Sequence, residues 1–221
     1  MRKIIVANRI TMDGVLQAPS GPEDDPQYPF KWGGWATHYQ DDQTFSTLSK
    51  IMSTPFDLLL GRRTYEVFAS YWPYEKGAIA DTFNRINKYV VATTPVDLSW
   101  ETSILINKDV VNELKKLKEQ DGPDLLVFGS SVLMQTLLSN HMVDVLHTWI
   151  FPVTIGEGQK LFEGGTQPQQ WKLTESVVSK TGVIFASYAL DGEVKLGSLA
   201  PDEVAKAALG RREKWKADRK S

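Results

Sequence analysis

The chain has 221 residues, 42% of them hydrophobic and 24% charged, with a formal net charge of −2 and no cysteine. That length suits one domain with a real core; the near-neutral charge offers no bulk attraction to nucleic acid or anionic lipid, and the missing thiols exclude disulfides, cysteine-ligated zinc, iron–sulfur clusters and a cysteine nucleophile. The N-terminal apolar run is too short for a signal peptide and no segment approaches the roughly 20 apolar residues of a membrane span, so a cytoplasmic protein with no membrane partner is expected.

Residues 4–7 form a continuous apolar run, the pattern of a strand buried on both faces, and Asp13-Gly14 signals a turn after it. Residues 17–43 are rich in Pro, Gly and Asp yet carry Tyr28, Phe30, Trp32 and Trp35. A stretch this long without regular structure is often a lid, and its rings, Trp35 among them, are expected to pack on a flat substrate. The pattern predicts a helix over 44–52, a buried strand over 56–60 ended by Gly61, a helix over 64–70 and a strand over 88–92. Residues 109–119 predict an amphipathic helix with Val110, Leu114 and Leu117 on one face and Asp109 as N-cap. A strand over 124–128 is broken by Gly129 and followed by a helix over 131–138. Residues 144–151 predict a strand stopped by Pro152, Gly156-Glu157-Gly158 a loop, and 171–179 with 183–190 a terminal hairpin. Strands alternating with helices imply an α/β fold, with a mixed, mostly parallel sheet flanked by helices and an antiparallel C-terminal hairpin at one edge. The chain thus divides into a body, 1–190, and a charged helical tail, 191–221, where Pro201 fits a first helical position and Val204, Ala207 and Ala208 make a weak apolar face.

Two junctions carry most of the chemical information: Leu58-Leu59-Leu60-Gly61-Arg62-Arg63-Thr64-Tyr65 and Leu125-Leu126-Val127-Phe128-Gly129-Ser130-Ser131-Val132. Each is a buried strand, a glycine and a helix start. A helix N-terminus presents unpaired N–H groups and partial positive charge, and glycine lets a ligand approach the backbone. Arg62 and Arg63 can grip a phosphate through paired donors, and Ser130 and Ser131 add hydroxyls. Two such junctions in one sheet suit a dinucleotide, although any strand-to-helix junction uses Gly and Ser. No Gly-x-Gly-x-x-Gly opens a helix, and no Walker Gly-Lys-Ser/Thr or Gly-x-Ser-x-Gly elbow is present. His38, His141 and His147 lack metal-ligand spacing, so no metal is expected. The basic run from Arg211 to Lys220 is interrupted by Glu213 and Asp218 and reads as a solvated helix end.

Thr11-Met12-Asp13-Gly14, Leu60-Gly61-Arg62-Arg63-Thr64-Tyr65-Glu66, Lys88-Tyr89-Val90-Val91-Ala92-Thr93-Thr94, Phe128-Gly129-Ser130-Ser131 and Pro152-x-x-x-Gly156-x-Gly158-x-x-Leu161-Phe162 occur in this order. Together they resemble the riboflavin-biosynthesis reductase (RibD C-terminal) family, within the dihydrofolate-reductase-like fold, over about residues 2–190. The resemblance implies NADPH as cofactor. It places Gly61, Arg62, Arg63 and Thr64 at the cofactor phosphates, Thr93 and Thr94 near the adenosine 2′-phosphate, and Phe128, Gly129, Ser130, Ser131 and Val132 around the pyrophosphate. Ala7, Asn8 and Gly14 would flank the nicotinamide, and Thr148 the substrate. The deaminase half of the bifunctional riboflavin enzyme, whose zinc site needs cysteines, is absent, and the first motif reads Thr-Met-Asp-Gly where many relatives have Ser-Leu-Asp-Gly. Asp41 and Asp42 open the helix on which dihydrofolate reductases carry an acidic residue, somewhat upstream of it. The implied activity is hydride transfer from NADPH to a small, flat pterin- or pyrimidine-like heterocycle or a carbonyl, with Asp42, Asp13 or Glu157 as the acidic group nearest the chemistry. The other reading is a non-catalytic nucleotide-binding module. Relatives in this family commonly pair, so a homodimer is expected.

Overall fold

The sheet follows from the apolar runs. In the computed structural model of the protein, which describes residues 1–24, 28–163, 166–197, 208–212 and 215–216, eight strands form one sheet: β1 (Ile4–Thr11), β2 (Phe56–Gly61), β3 (Lys88–Val91), β4 (Ser103–Ile106), β5 (Asp124–Val127), β6 (Val145–Phe151), β7 (Trp171–Val178) and β8 (Ile184–Leu190). Their order is β4-β3-β2-β5-β1-β6-β8-β7. All neighbours are parallel except β8, which runs antiparallel to both β6 and β7. The expected mixed, mostly parallel sheet with a terminal antiparallel hairpin is therefore present.

Five helices cover it: α1 (Asp42–Ile51), α2 (Arg62–Tyr71), α3 (Ala78–Arg85), α4 (Val110–Glu119) and α5 (Ser131–Ser139). Alternate strand residues feed opposite cores, as the two-residue period of a strand requires. Leu58 and Leu60 join Tyr65, Phe68 and Phe83 on the face of α1, α2 and α3. Leu59 joins Leu114, Leu117, Leu133, Met134 and Leu137 under α4 and α5. α1 is closed by a capping box in which the Asp41 carboxylate accepts from the Thr44 N–H and the Thr44 hydroxyl accepts from the Asp41 N–H.

Some elements differ from expectation. β1 is twice as long as its apolar run, because Asn8 to Thr11 pair with Thr148 to Phe151 of β6. Strand pairing, not hydrophobicity, carries those residues. Helix α3 and strand β4 have only a few buried positions each, too few to leave a periodic signal. Asp109 does precede α4, but in a left-handed conformation (φ 45°) without capping the backbone; its carboxylate accepts from the Asn112 amide instead.

The 17–43 segment is not wholly a lid. Phe30 and Trp35 are 9% exposed and belong to the main core. The Trp35 ring stands edge-on to Phe151 at 5.3 Å, and its Nε1 donates to the Gln17 carbonyl at 2.8 Å. Trp35 is thus a scaffold residue, not a substrate-facing ring: a large apolar side chain with a satisfied N–H is at lower free energy inside the core than on a surface. Tyr28 and Trp32 remain about half exposed. Pro201, Val204 and Ala207 lie outside the described residues, while 208–212 and 215–216 are helical. Among the described residues no helix is long and apolar enough to cross a membrane.

Candidate active site

Strand β5 lies between β1 and β2, and this placement creates a crevice. α2 leaves the carboxyl end of β2 toward one face of the sheet, whereas α5 leaves the carboxyl end of the adjacent β5 toward the other. Ligands of open α/β sheets bind where neighbouring connections diverge in this way. The two junctions recognised in the sequence meet there. The Gly61 N–H donates to the Ser130 hydroxyl at 2.9 Å, and the Ser130 N–H donates to the Thr64 hydroxyl at 3.0 Å. Gly129 (φ 54°) and Ser130 (φ 57°) are consecutive left-handed residues, and a Cβ on Gly129 would stand 3.1 Å from the Thr64 hydroxyl oxygen. Neither α2 nor α5 has a side chain capping its N-terminus.

Asn8 joins this frame from β1. Val127, the last residue of β5, pairs with Val6, so Asn8 lies beyond the end of β5. Its Oδ1 accepts from the Gly129 N–H at 2.6 Å, and its Nδ2 donates to the Gly129 carbonyl at 3.3 Å. The Asn8 side chain therefore holds the loop. Ala7, by contrast, is buried on the α1–α3 face. The Ser131 hydroxyl donates to Gln159, which spends its proton on the neighbouring loop. The Phe128 ring packs against Phe68 and Phe83, leaving only its backbone near the crevice, while Val132 is exposed on the first turn of α5. Thr93 and Thr94 are exposed just past β3, on the same rim as Gly61, which pairs with Val91.

The two arginines diverge. Arg62 donates from Nη1 to both carboxylate oxygens of Glu66, one turn along α2, at 2.8 and 3.1 Å. The Arg63 guanidinium lies 3.5 Å from the centre of the Tyr28 ring. That stacking uses the face of the guanidinium and leaves its in-plane N–H donors available.

The acidic candidates do not converge on the crevice as proton donors. Asp13 accepts from the Thr11 hydroxyl at 2.6 Å and from the N–H groups of Ile155 and Gly156 at 3.2 and 2.8 Å. These bonds, that of Thr11 foremost, push its carboxyl down to about 2. Asp13 is an ionised clamp on the loop after β6, and a group so acidic is not a general acid near neutrality. Beside it Gly14 takes a left-handed turn (φ 84°). Asp42 is exposed on the outside of the first turn of α1; the side chains that turn inward are Thr44 and Thr47.

Thr148 is buried, but strand alternation sets it on the α4–α5 face with Leu146 and Ile150, away from α1. It does not face the substrate side the resemblance implied. The α1-facing neighbour is Trp149, whose Nε1 donates to the Thr47 hydroxyl at 2.8 Å. Between α1 and the sheet this leaves a cavity of only about 10 Å³, bordered by Thr44, Thr47, Trp149 and Phe185. On the same face, His147 stacks on Phe185 at 5.9 Å, and its buried Nδ1 has no hydrogen-bond partner among the described residues. Desolvation pushes its pKa down to about 4. Its place on a buried strand was the one sequence signal for this environment.

Comparison with known proteins agrees with the geometry. The family model described as the RibD C-terminal domain matches residues 2–185. Two Bacillus subtilis proteins, both uncharacterized, are similar over most of their length. YyaP is 26% identical over 198 residues, covering 86% of this chain and 96% of its own. YwjB is 22% identical over 177 residues, covering 78% and 89%. Among solved structures, a Shewanella sp. PV-4 protein named for riboflavin biosynthesis superposes with a TM-score of 0.59 at 20% identity, covering 86% of this chain and 99% of that one. Enterococcus faecalis dihydrofolate reductase complexed with NADP(H) gives 0.54 at 17% identity, covering 86% and 96%. A pyrimidine reductase-like protein of Corynebacterium diphtheriae gives 0.57 at 13%, covering 87% and 93%. These likenesses are of fold.

Proposed function

The chain belongs to the RibD C-terminal domain family, and on that premise we propose that it is an NADPH-dependent reductase acting on a small, flat heterocycle or carbonyl compound. The observation that carries the reading is the hydrogen-bonded frame of Asn8, Gly61, Thr64, Gly129 and Ser130, which holds two uncapped helix starts side by side. Two adjacent, positively polarised N-termini fit a pyrophosphate. The left-handed Gly129–Ser130 pair turns the backbone toward the crevice without side-chain bulk at Gly129. Arg63, with Thr93 and Thr94 on the same rim, would discriminate in favour of a 2′-phosphate. Ala7 and the Asp13–Gly14 turn would border the nicotinamide. NADPH supplies the hydride; the chain aligns the reactants and keeps water from them.

Titration calorimetry with NADPH and NADH tests this reading. Tighter binding of NADPH supports it, and equal affinity or no binding of either refutes it. The non-catalytic reading is favoured by one observation, that the inner side of α1 presents threonines and no carboxylate. Loss of the reduced-nicotinamide absorbance with a panel of pterins, pyrimidines and carbonyls decides between the two.

A further inference from the structure

Strand β5 ends at Val127, opposite Val6, whereas β1 runs on to Thr11. The second half of β1 therefore forms a wall of the crevice on its β5 side. Alternation divides the side chains of that wall between the two faces of the sheet. Asn8 turns to one face and grips Gly129. Ala7 and Arg9 turn to the other, since Arg9 pairs with Trp149, which faces α1. A cation thus stands at the next alternate position beyond Ala7, on the same face.

Arg9 has few partners for a guanidinium inside a fold. Arg2, at the other end of β1, is bound to Asp57, the Pro123 carbonyl and the Tyr89 hydroxyl. Arg9 is partly buried, yet among the described residues it forms no ion pair, and its one hydrogen bond runs from Nη1 to the Ser20 hydroxyl at 3.2 Å. Asp24 commits one oxygen to the Ser20 and Gly21 N–H groups, at 2.7 and 3.1 Å. Burial pushes the Arg9 pKa below its ordinary value, and the charge of Asp24 opposes this with a smaller effect. Arginine stays charged even so, and a desolvated, unpaired cation is costly to keep. Glu157, the remaining acidic candidate, is exposed and held by Lys31 and Trp32. We propose that Arg9 faces the nicotinamide ring and makes the crevice select reduced over oxidised cofactor. The inference rests on the reductase reading, in which Ala7 borders that ring. The reduced nicotinamide is neutral and the oxidised ring is a cation, so a fixed guanidinium repels the oxidised form alone. Contacts to the phosphates, which are the same in both forms, cannot make this distinction. NADPH is thereby favoured on entry and NADP⁺ on exit.

Calorimetry with NADPH and with NADP⁺ reads the two affinities on the full chain, and circular dichroism checks the fold of each variant. The unsubstituted chain should hold NADPH about tenfold or more tighter than NADP⁺. Arg9→Gln should bring the two affinities within about twofold, by tightening NADP⁺ and not by weakening NADPH. Arg9→Lys keeps the charge and should keep the preference. Ser20→Ala removes only the loop contact and should leave the ratio unchanged, whereas Asp24→Asn removes the opposing charge and should widen it. An Arg9→Gln variant that keeps the original ratio, or weakens both cofactors alike, makes Arg9 a post for the 20–24 loop and overturns the proposal. Should that variant not fold, the Asp24→Asn ratio decides: a ratio unchanged or narrowed overturns it equally. NADPH binding with no preference over NADP⁺ removes the role of Arg9 and leaves the reductase reading standing. No binding of either cofactor removes both.

Discussion

Replacing Trp35 with alanine should unfold the protein far more readily while leaving the crevice between β2 and β5 alone. The side chain is 9% exposed, stands edge-on to Phe151 and donates its Nε1 proton to the Gln17 carbonyl. Truncating a buried tryptophan costs about 3–5 kcal/mol in lost transfer free energy and cavity formation. The Phe151 contact lies within that figure, and the Gln17 carbonyl, only part-buried, can bond to water once its partner is gone and adds little. At roughly 2–4 °C per kcal/mol for a chain of this size, the melting temperature should fall by about 6–20 °C. Urea titration followed by tryptophan fluorescence measures the loss directly, with the slope against denaturant unchanged if only the native state is affected. Affinity for NADPH, measured where the variant is folded, should stay within about twofold, because the ring's stacking and hydrogen-bond partners, Phe151 and Gln17, are not part of the hydrogen-bonded frame of Asn8, Gly61, Thr64, Gly129 and Ser130. A loss below about 1 kcal/mol would mean that Trp35 is not part of the core and would return the segment to the role of a lid.

His147 should make the protein acid-labile. Its pKa lies near 4 in the folded state against an ordinary value of 6.5, so between those values the unfolded chain binds the extra proton, and stability is full above pH 6.5 and falls as the pH drops toward 4. Discounted for its partial exposure, the loss should reach about 2 kcal/mol, and His147→Phe should flatten this part of the pH–stability curve; an unchanged curve would refute the assignment. Asn8→Asp retains the acceptor for the Gly129 N–H but buries a carboxylate beside the proposed pyrophosphate and against the Gly129 carbonyl, so it should weaken NADPH by about tenfold or more and also lower stability by about 1–3 kcal/mol; calorimetry on the folded variant showing unchanged affinity would separate Asn8 from the cradle. Strand β7, with Leu173 and Val178 exposed, is the outer edge we infer for a homodimer; sedimentation equilibrium at micromolar concentration should give twice the chain mass, and a monomer would refute it.

What the sequence disclosed was local. The runs before Gly61 and Gly129 became strands, the residues after them became helices, and the terminal hairpin paired as its turn residues suggested. The family resemblance followed from five motifs in order, the two junctions among them. Side-chain direction was less accessible. Thr148 sits between His147 and Trp149, both also compatible with burial, so only the pairing of β6 with its neighbours decides which face it joins. The Asn8 amide grips a loop 121 positions away, which no spacing rule along the chain reveals. Four aromatic residues in a proline-rich segment gave no indication that two would enter the core and two stay outside. Asp13 and Asp42 drew attention as carboxylates, yet one is spent on loop N–H groups and the other points outward from α1.

The central position of β1 also bears on how the protein comes to be folded. Ile4 pairs with Leu125 on one side, and Ile5 with Val145 on the other. This apolar ribbon therefore has no strand partner until residues about 120 positions further along have left the ribosome. Parallel pairings between such distant segments are slow to form, because loop closure must be completed before the contacts stabilise it. During that interval residues 4–7 are an unpaired β-prone segment of the kind that chaperones shield and that aggregates at high expression. Slowing translation before residue 125 would lengthen this exposure.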